Sequence, residues 1–299
     1  MNKVTRQGPY ALITAPINWY DKTLEAILKD DLEIPKKMLH QWRMEKSVLL
    51  NENATSWSTK IQAGDTVFLP IYKDEDNSSI HPIFIPIEVL YEDDDLLVMN
   101  KPPYLNTHVD DPRKQESLTN AVAGYFKKRH LPIKPRHIHR LDKDTSGAIL
   151  YAKNAYAAAI LDKALSEGKI KRTYVALVEG IVSQDRGTIH APIGKDRHVS
   201  GKMRISNTGK EAITHYSVLK RFARKNLTLV SCKLETGRTH QIRVHMSHIG
   251  HPLSGDPLYG GKINPKIKRQ ALHAFRLDFV QPLTKEKLFV ECPIPFLDI

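Results

Sequence analysis

HRLDKDTSGAILYA, residues 139–152, sets a cation and a carboxylate, Arg140 and Asp142, two positions apart, directly before a Thr-Ser-Gly turn and an apolar run. The run Ala148–Ala152 reads as a buried strand. An extended backbone through the preceding residues would turn Arg140 and Asp142 to one side and Leu141 into the core. A neighbouring cation favours the ionised form of a carboxylate, and an ionised Asp serves as a nucleophile or a general base. The same spacing also describes an exposed ion pair, which contributes little. The rest of the chain has to decide between the two.

Working outward, Leu96–Met99 is a short apolar strand ending in Asn100-Lys101-Pro102-Pro103, and Ser117 caps a helix carrying Leu118, Val122, Tyr125 and Phe126. On the other side, Asn154 caps an alanine-rich helix that stops at Gly168. Thr173–Val178, Thr214–Leu219 and Leu227–Leu234 alternate in polarity as half-buried strands do. Many strands with few helices between them argue for an α+β fold, a mixed and mostly antiparallel sheet with flanking helices.

Upstream, Lys73 to Ser79 (KDEDNSS) followed by Pro82 reads as a linker, giving a small α/β module over 1–72, a linker over 73–82 and a larger domain over 83–299. In the module, Thr23–Leu32 has helical spacing with Asp21 as an N-cap, and Pro35 opens a second helix through Trp42. Val48–Leu50 and Thr66–Pro70 read as strands around turns.

The net charge is +12, and it is unevenly placed: residues 1–82 carry 10 basic and 11 acidic side chains, so the larger domain holds all the excess. A basic surface of this kind suits a polyphosphate or an anionic membrane, although a solvated surface has the same composition. No apolar run approaches the length of a membrane span, and the start lacks the order of a secretory signal. The two cysteines, Cys232 and Cys292, form no CxxC, which fits a reducing, cytoplasmic setting. Monomer is the default expectation.

Three further segments carry candidate chemistry. In LETGRTHQIRVHMSHIGHPLSGDPLYG, residues 234–260, Gly237 permits a sharp turn, and a helix from near Thr239 to Ile249 would offer free N–H groups to an anion. Arg238 sits at its start and Arg243 one turn in. His240, His245, His248 and His251 fall close together, but only His245 and His248 share a helical face, and no carboxylate stands at ligand spacing within the helix. His137 and His139 form an H-x-H that could bind metal from a strand, yet no metal is expected. In Lys171-Arg172-Thr173-Tyr174, the Tyr is either core packing or a ring that stacks on a flipped base. Gly194–Glu211 carries Lys195, Arg197, Lys202, Arg204 and Lys210, and reads as a basic hairpin suited to phosphates; Lys262 to Arg269 is a second basic cluster.

Asn100-Lys101-Pro102, HRLDKDTSG, KRTYVALVEG, TGRTHQIRVHM and GHPLSGDPLYG follow one another in the order found in the RluA-like family of RNA pseudouridine synthases, and the similarity runs from about residue 85 to 295. The resemblance implies a pseudouridine synthase fold and an isomerisation: the N1–C1′ bond of a uridine breaks, the uracil turns, and C5 bonds to C1′. It implies that Asp142 is the catalytic aspartate, that Tyr174 stacks on the target uracil, and that Arg243 pairs with Asp142. Arg140 would fill the space left by the extruded nucleotide or hold its backbone. His139, Lys101, Arg238, Lys202 and Arg204 are expected to contact RNA. The partner would be ribosomal or transfer RNA, with no cofactor.

Many relatives carry a small S-four-like RNA-binding module at the N-terminus. Residues 24–65 resemble it in outline, but the segment Tyr20-Asp21-Lys22 lacks the usual Arg, and the net charge of 1–82 is slightly negative. A degenerate module that positions RNA or packs on the catalytic domain is therefore expected. Two other readings exist. One is a catalytically silent RNA-binding or ribosome-assembly factor, disfavoured by the intact Asp142, Tyr174 and Arg243. The other is a hydrolase pairing Asp142 with His139, which lacks a clear nucleophile–base–orienter set.

Overall fold

A computed structural model describes residues 2–73, 80–109, 116–263 and 267–296. The linker expected at 73–82 therefore falls largely outside the described residues, as does the middle of the Lys262–Arg269 cluster.

The larger part of the chain forms a ten-stranded sheet among the described residues. Its main path runs Arg186–His190, Ile213–Phe222, Leu227–Leu234, Lys171–Glu179, Leu272–Val280, Ser146–Ala152, Leu96–Lys101 and Glu88–Glu92. Neighbours pair antiparallel except at one seam, where Ser146–Ala152 runs parallel to Leu272–Val280 through His273↔Ser146 and Ala274↔Gly147. The expected α+β class with a mixed, mostly antiparallel sheet is what the chain forms.

Every residue of the Ser146–Ala152 strand is buried, because both faces of the sheet are covered. One face packs on the Leu118–Lys128 helix through Val122 and Phe126. The other packs on the Ala155–Ser166 helix through Ala157 and Leu161. The caps read from sequence form: Ser117 Oγ accepts from Asn120 N–H and Asn154 Oδ1 from Ala157 N–H. Gly147 has φ +114, and a Cβ there would lie 2.3 Å from the Ala274 carbonyl oxygen, so only glycine lets the two strands meet at the seam.

The N-terminal module has a five-stranded sheet in the order Val4–Gln7, Tyr10–Thr14, Thr66–Leu69, Leu49–Leu50, Asn53–Ala54. The first two strands are absent from the sequence reading. The first helix is a turn of α-helix, Leu24–Ala26, running into a π turn, Ile27–Asp31, and its cap is Thr23 rather than Asp21. Asp21 instead adopts φ +61. Pro35 precedes the Lys36–Glu45 helix as expected.

The module is not isolated. Its core of Trp19, Leu24, Leu28, Trp42 and Leu69 continues into Tyr156 and Leu283 of the larger part. The Tyr156 hydroxyl donates to the Leu32 carbonyl at 2.9 Å. Lys163 and Glu33 add an exposed ion pair across the same junction.

Candidate active site

The sheet register builds the site. Gly147, Ala274, Tyr174 and Cys232 lie side by side on four adjacent strands. Tyr174 therefore stands next to the turn that leads into Gly147, and Asp142 is in that turn. Residues 140–142 are not a strand. They are irregular backbone, closed by Thr145 N–H donating to the Asp142 carbonyl at 3.0 Å. Thr107 pins the segment: its Oγ1 accepts from Leu141 N–H at 3.1 Å and donates to the Leu141 carbonyl at 3.0 Å. Leu141 is buried, as alternation suggests, while Arg140 is exposed and the Asp142 side chain is 26% exposed.

The turn is also held from behind. Arg269 donates to the Asp144 carbonyl and to Ser146 Oγ, both at 2.8 Å, and Ser146 Oγ bonds His273 Nδ1 at 2.9 Å. A carboxylate on so constrained a turn is positioned before any ligand arrives.

Arg243 reaches Asp142 across the cavity. Its helix, Gln241–His248, buries six consecutive residues, Gln241 to Met246. The Arg243 fork clasps Asp256, with Nε to Oδ2 at 2.6 Å and Nη2 to Oδ1 at 2.9 Å, and Nη1 donates to Asp142 Oδ2 at 3.2 Å. Burial alone would pull the Arg243 guanidinium down, but Asp256 and Asp142 outweigh it and hold it above its ordinary value. Asp142 Oδ2 also faces His240 Nε2 at 3.9 Å. Among the described residues, Oδ1 has neither contact.

His240, weighed in the sequence only as a metal ligand, and Tyr259, given no role there, both belong to the site. The helix begins two residues later than expected, because His240 takes a left-handed backbone, φ +56, unusual for a residue other than glycine. Its Nδ1 bonds the Tyr259 hydroxyl at 2.8 Å, and that hydroxyl accepts from Met203 N–H at 2.9 Å. The Arg243 guanidinium lies 4.9 Å from the Tyr259 ring centroid, and Lys202 Nζ lies 5.7 Å from it. Tyr259 thus ties the basic hairpin to Arg243. Burial pushes its hydroxyl up to about 12 and pulls His240 down, against the opposing pull of Asp142. Asp256 and Tyr259 both belong to the GDPLYG segment. In the sequence the segment stands as part of the family resemblance, with neither residue given a role.

Asp142, Tyr174, Arg243, His240 and the guanidinium-bearing residues Arg140, Arg172 and Arg238 border one cavity of about 290 Å³. Tyr174 is 5% exposed, and burial raises its hydroxyl, so it stays a neutral phenol. Arg238 Nε donates to the Glu211 carbonyl at 2.8 Å. Arg204 is exposed on the Met203–Ile205 strand of the hairpin.

Two residues expected to contact RNA are corrected by their burial. Lys101 is 0% exposed, and its Nζ donates to the carbonyls of Pro102 (2.9 Å), Leu105 (2.6 Å) and Lys143 (2.9 Å). Burial pushes its ammonium down to about 7, against the pull of Asp144 and Asp142. It buttresses the Asp142 turn from inside. Lys101→Met should strand three carbonyls and lower stability by about 3 kcal/mol or more, read by urea denaturation, with the RNA affinity of the folded protein unchanged. Weakened RNA binding at unaltered stability would return Lys101 to the interface.

His139 is 5% exposed and borders the cavity wall, but its Nε2 accepts from Leu150 N–H at 3.3 Å and burial pushes it down to about 3. It is a neutral wall residue that presents no cation to a phosphate. The helix histidine His245 is similarly engaged, with Thr214 Oγ1 and the Ala191 carbonyl.

A positioned carboxylate, a buried guanidinium and an aromatic wall around one cavity suit chemistry on a planar base and its sugar. The RNA pseudouridylate synthase family model matches residues 95–248, and a model of the RluD ribosomal pseudouridine synthase N-terminal domain matches residues 11–67. An uncharacterized RNA pseudouridine synthase, YhcT of Bacillus subtilis (strain 168), is 40% identical over 272 residues, covering 91% of this chain and 89% of the relative. Ribosomal large subunit pseudouridine synthase D of Nitrosomonas europaea is 35% identical over 293 residues, covering 95% and 84%. Among solved structures, human RNA pseudouridylate synthase domain containing 1 aligns with TM-score 0.58 and 30% identity over 75% of this chain and 87% of that one. The chain belongs to the RNA pseudouridine synthases of the RluA family. It is an isomerase that converts uridine in RNA to pseudouridine. Among the described residues, no helix is long and apolar enough to cross a membrane.

Proposed function

We propose that Asp142 carries the isomerisation, with Arg243 orienting it, Tyr174 stacking on the target uracil and Arg140 occupying the place of the flipped nucleotide. The carrying observation is the 3.2 Å contact from Arg243 Nη1 to Asp142 Oδ2 in the cavity that Tyr174 walls. A uridine stacked in RNA is out of reach of such a recess and has to be extruded; exposed Arg140, at the rim, suits the gap left behind.

With Oδ2 engaged by Arg243, Oδ1 is free for the sugar or the ring. Attack at C1′, addition to C6 and removal of the C2′ proton each need one ionised carboxylate with one free oxygen. In every case N1–C1′ breaks, C5–C1′ forms, the C5 proton leaves and N1 takes up a proton, so the sum is an isomerisation. Tyr174, a neutral phenol, acts here as a face for the ring. Arg238, at the cavity wall, and Lys202 and Arg204, lining a second recess beside Tyr259, serve as phosphate contacts, and the N-terminal module, fixed to the larger part through Tyr156, helps to orient the RNA.

The RNA is ribosomal RNA of the large subunit. Support comes from several relatives named ribosomal large subunit pseudouridine synthase D, and from the match of the N-terminal module to the domain of that enzyme. Pseudouridine maps of cellular RNA with and without this protein should differ at one or more uridines of large-subunit RNA. A difference confined to transfer RNA would overturn the assignment of the target while leaving the chemistry intact.

A further inference from the structure

Leaving aside the exposed Arg140, Arg172 stands apart from the other guanidinium groups of the cavity. Arg243 is engaged by two carboxylates and Arg238 by a backbone carbonyl. The Arg172 side chain makes no hydrogen bond or ion pair with any described residue, and its Nε is buried without a partner. A guanidinium is a donor with no acceptor atom, and a buried donor without a partner is uncommon in folded proteins.

Its setting is built for it. Arg172 and Tyr174 are alternate residues of the Lys171–Glu179 strand, and both border the cavity. The guanidinium lies against the backbone of Gly237: a Cβ there would sit 2.9 Å from Nη1 and 3.3 Å from Nη2. Any side chain at 237 would thus compete with the fork for space. Tyr174 is buried, whereas Arg172 is half-exposed and Lys171, at the strand end, is exposed. Arg172 therefore stands nearer the mouth than the ring that would hold the base. One same-face step along a strand is about 7 Å, comparable to the span from a nucleobase to its own phosphate.

We propose that Arg172 is the phosphate clamp of the target nucleotide, its guanidinium fork holding a backbone phosphate next to the flipped uridine while Tyr174 holds the base. This rests on the reading that the uridine enters between Tyr174 and Asp142. A planar fork matches two phosphate oxygens at once, which a lysine does not. The clamp supplies position, keeping C1′ within reach of Asp142; it takes no part in bond making.

The test is a cycle of two changes, one on each partner. A synthetic RNA hairpin carrying the mapped uridine is prepared with natural phosphates, and with a neutral methylphosphonate on the 5′ or the 3′ side of that uridine. Wild type and Arg172→Gln are assayed on each. Arg172→Gln should lower kcat/KM on natural RNA by about 10- to 100-fold, and Arg172→Lys should recover part of it. At one of the two linkages the methylphosphonate should cost wild type a similar factor and cost Arg172→Gln little more. The salt dependence of RNA binding should flatten by about one counterion in the variant.

Unaltered kcat/KM for Arg172→Gln, multiplicative losses at both linkages, or wild-type indifference to both methylphosphonates would each overturn the clamp. The last of these is read without any variant, so a misfolded Arg172→Gln does not shelter the proposal. Failure of the underlying reading looks different: an Asp142→Asn enzyme that still isomerises the same hairpin.

Discussion

Asp142→Asn should lower the rate of pseudouridine formation by about 10⁴-fold or more, while stability stays within about 1 kcal/mol of wild type and RNA affinity is nearly unchanged. Asn keeps the shape of the side chain and an oxygen for Arg243 Nη1, but it has no ionised oxygen to offer C1′, C6 or the C2′ proton. The fold should tolerate the change because Arg243 remains clasped by both oxygens of Asp256. The Asp142 turn is held mainly by backbone contacts to Thr107, Lys101 and Arg269. Nucleoside analysis of digested RNA reads the chemistry, filter binding reads the affinity, and urea denaturation reads the fold. An active Asn variant would refute the role of Asp142, and a variant that has lost RNA binding would show the carboxylate to be a docking group instead.

Arg243→Met should be damaging twice over. The Asp256 side chain is 1% exposed, and both its oxygens are held by Arg243. Removing one partner of a buried pair leaves an uncompensated charge, so stability should fall by about 3–5 kcal/mol. Activity should fall with it, because Asp142 loses its hydrogen-bonded cation and the Tyr259 ring loses the guanidinium packed on it. A second change separates the two losses. In Arg243→Met/Asp256→Leu no charge is left stranded, and replacing a buried pair by apolar groups is often neutral. The double variant should regain most of the stability in urea denaturation but none of the activity. Recovery of both would mean that Arg243 serves the fold alone.

Together these results would divide the site into an oxygen that reacts, a guanidinium that aims it, and a second carboxylate that fixes the guanidinium. Asp256 is the part that local sequence reading left without a role. Its neighbour Gly255 has φ +78, and a Cβ there would meet the Arg269 carbonyl at 2.0 Å. The turn presenting Asp256 is therefore packed against the same residue that holds the Asp142 turn from behind.

Much of the fold was legible because its signals are local. Ser117 and Asn154 announce helix starts within three residues of the N–H groups they cap. The alternation in 227–234 matches a strand over that whole range. The misread elements are those in which local preference was overridden. Val4–Gln7 and Tyr10–Thr14 are short, and gain their identity from pairing with each other and, for Tyr10–Thr14, with Thr66–Leu69. Asp21 has a good N-cap side chain, yet backbone bonding of Asp21 and Lys22 to Ile61 sets the turn and leaves the cap to Thr23.

The sequence by itself determined the family, the larger domain's strand-rich class and the identities of Asp142, Tyr174 and Arg243 as candidates, because each lies in a short motif whose residue types carry the information. Only the tertiary structure decided what those residues, and the cations around them, touch. Asp142 and Arg243 are 101 residues apart, and they meet because a parallel seam and an antiparallel register bring their segments to one cavity. Lys101 and His139 look like RNA contacts in a string of letters and are buried in the fold. Arg172 looks like an ordinary basic residue, and its Nε is buried without a partner among the described residues. The reason is common to all three. A side chain's charge is written in the sequence, but its surroundings are set by strand order and packing between distant segments, and those surroundings decide whether a cation supports a turn or meets a substrate.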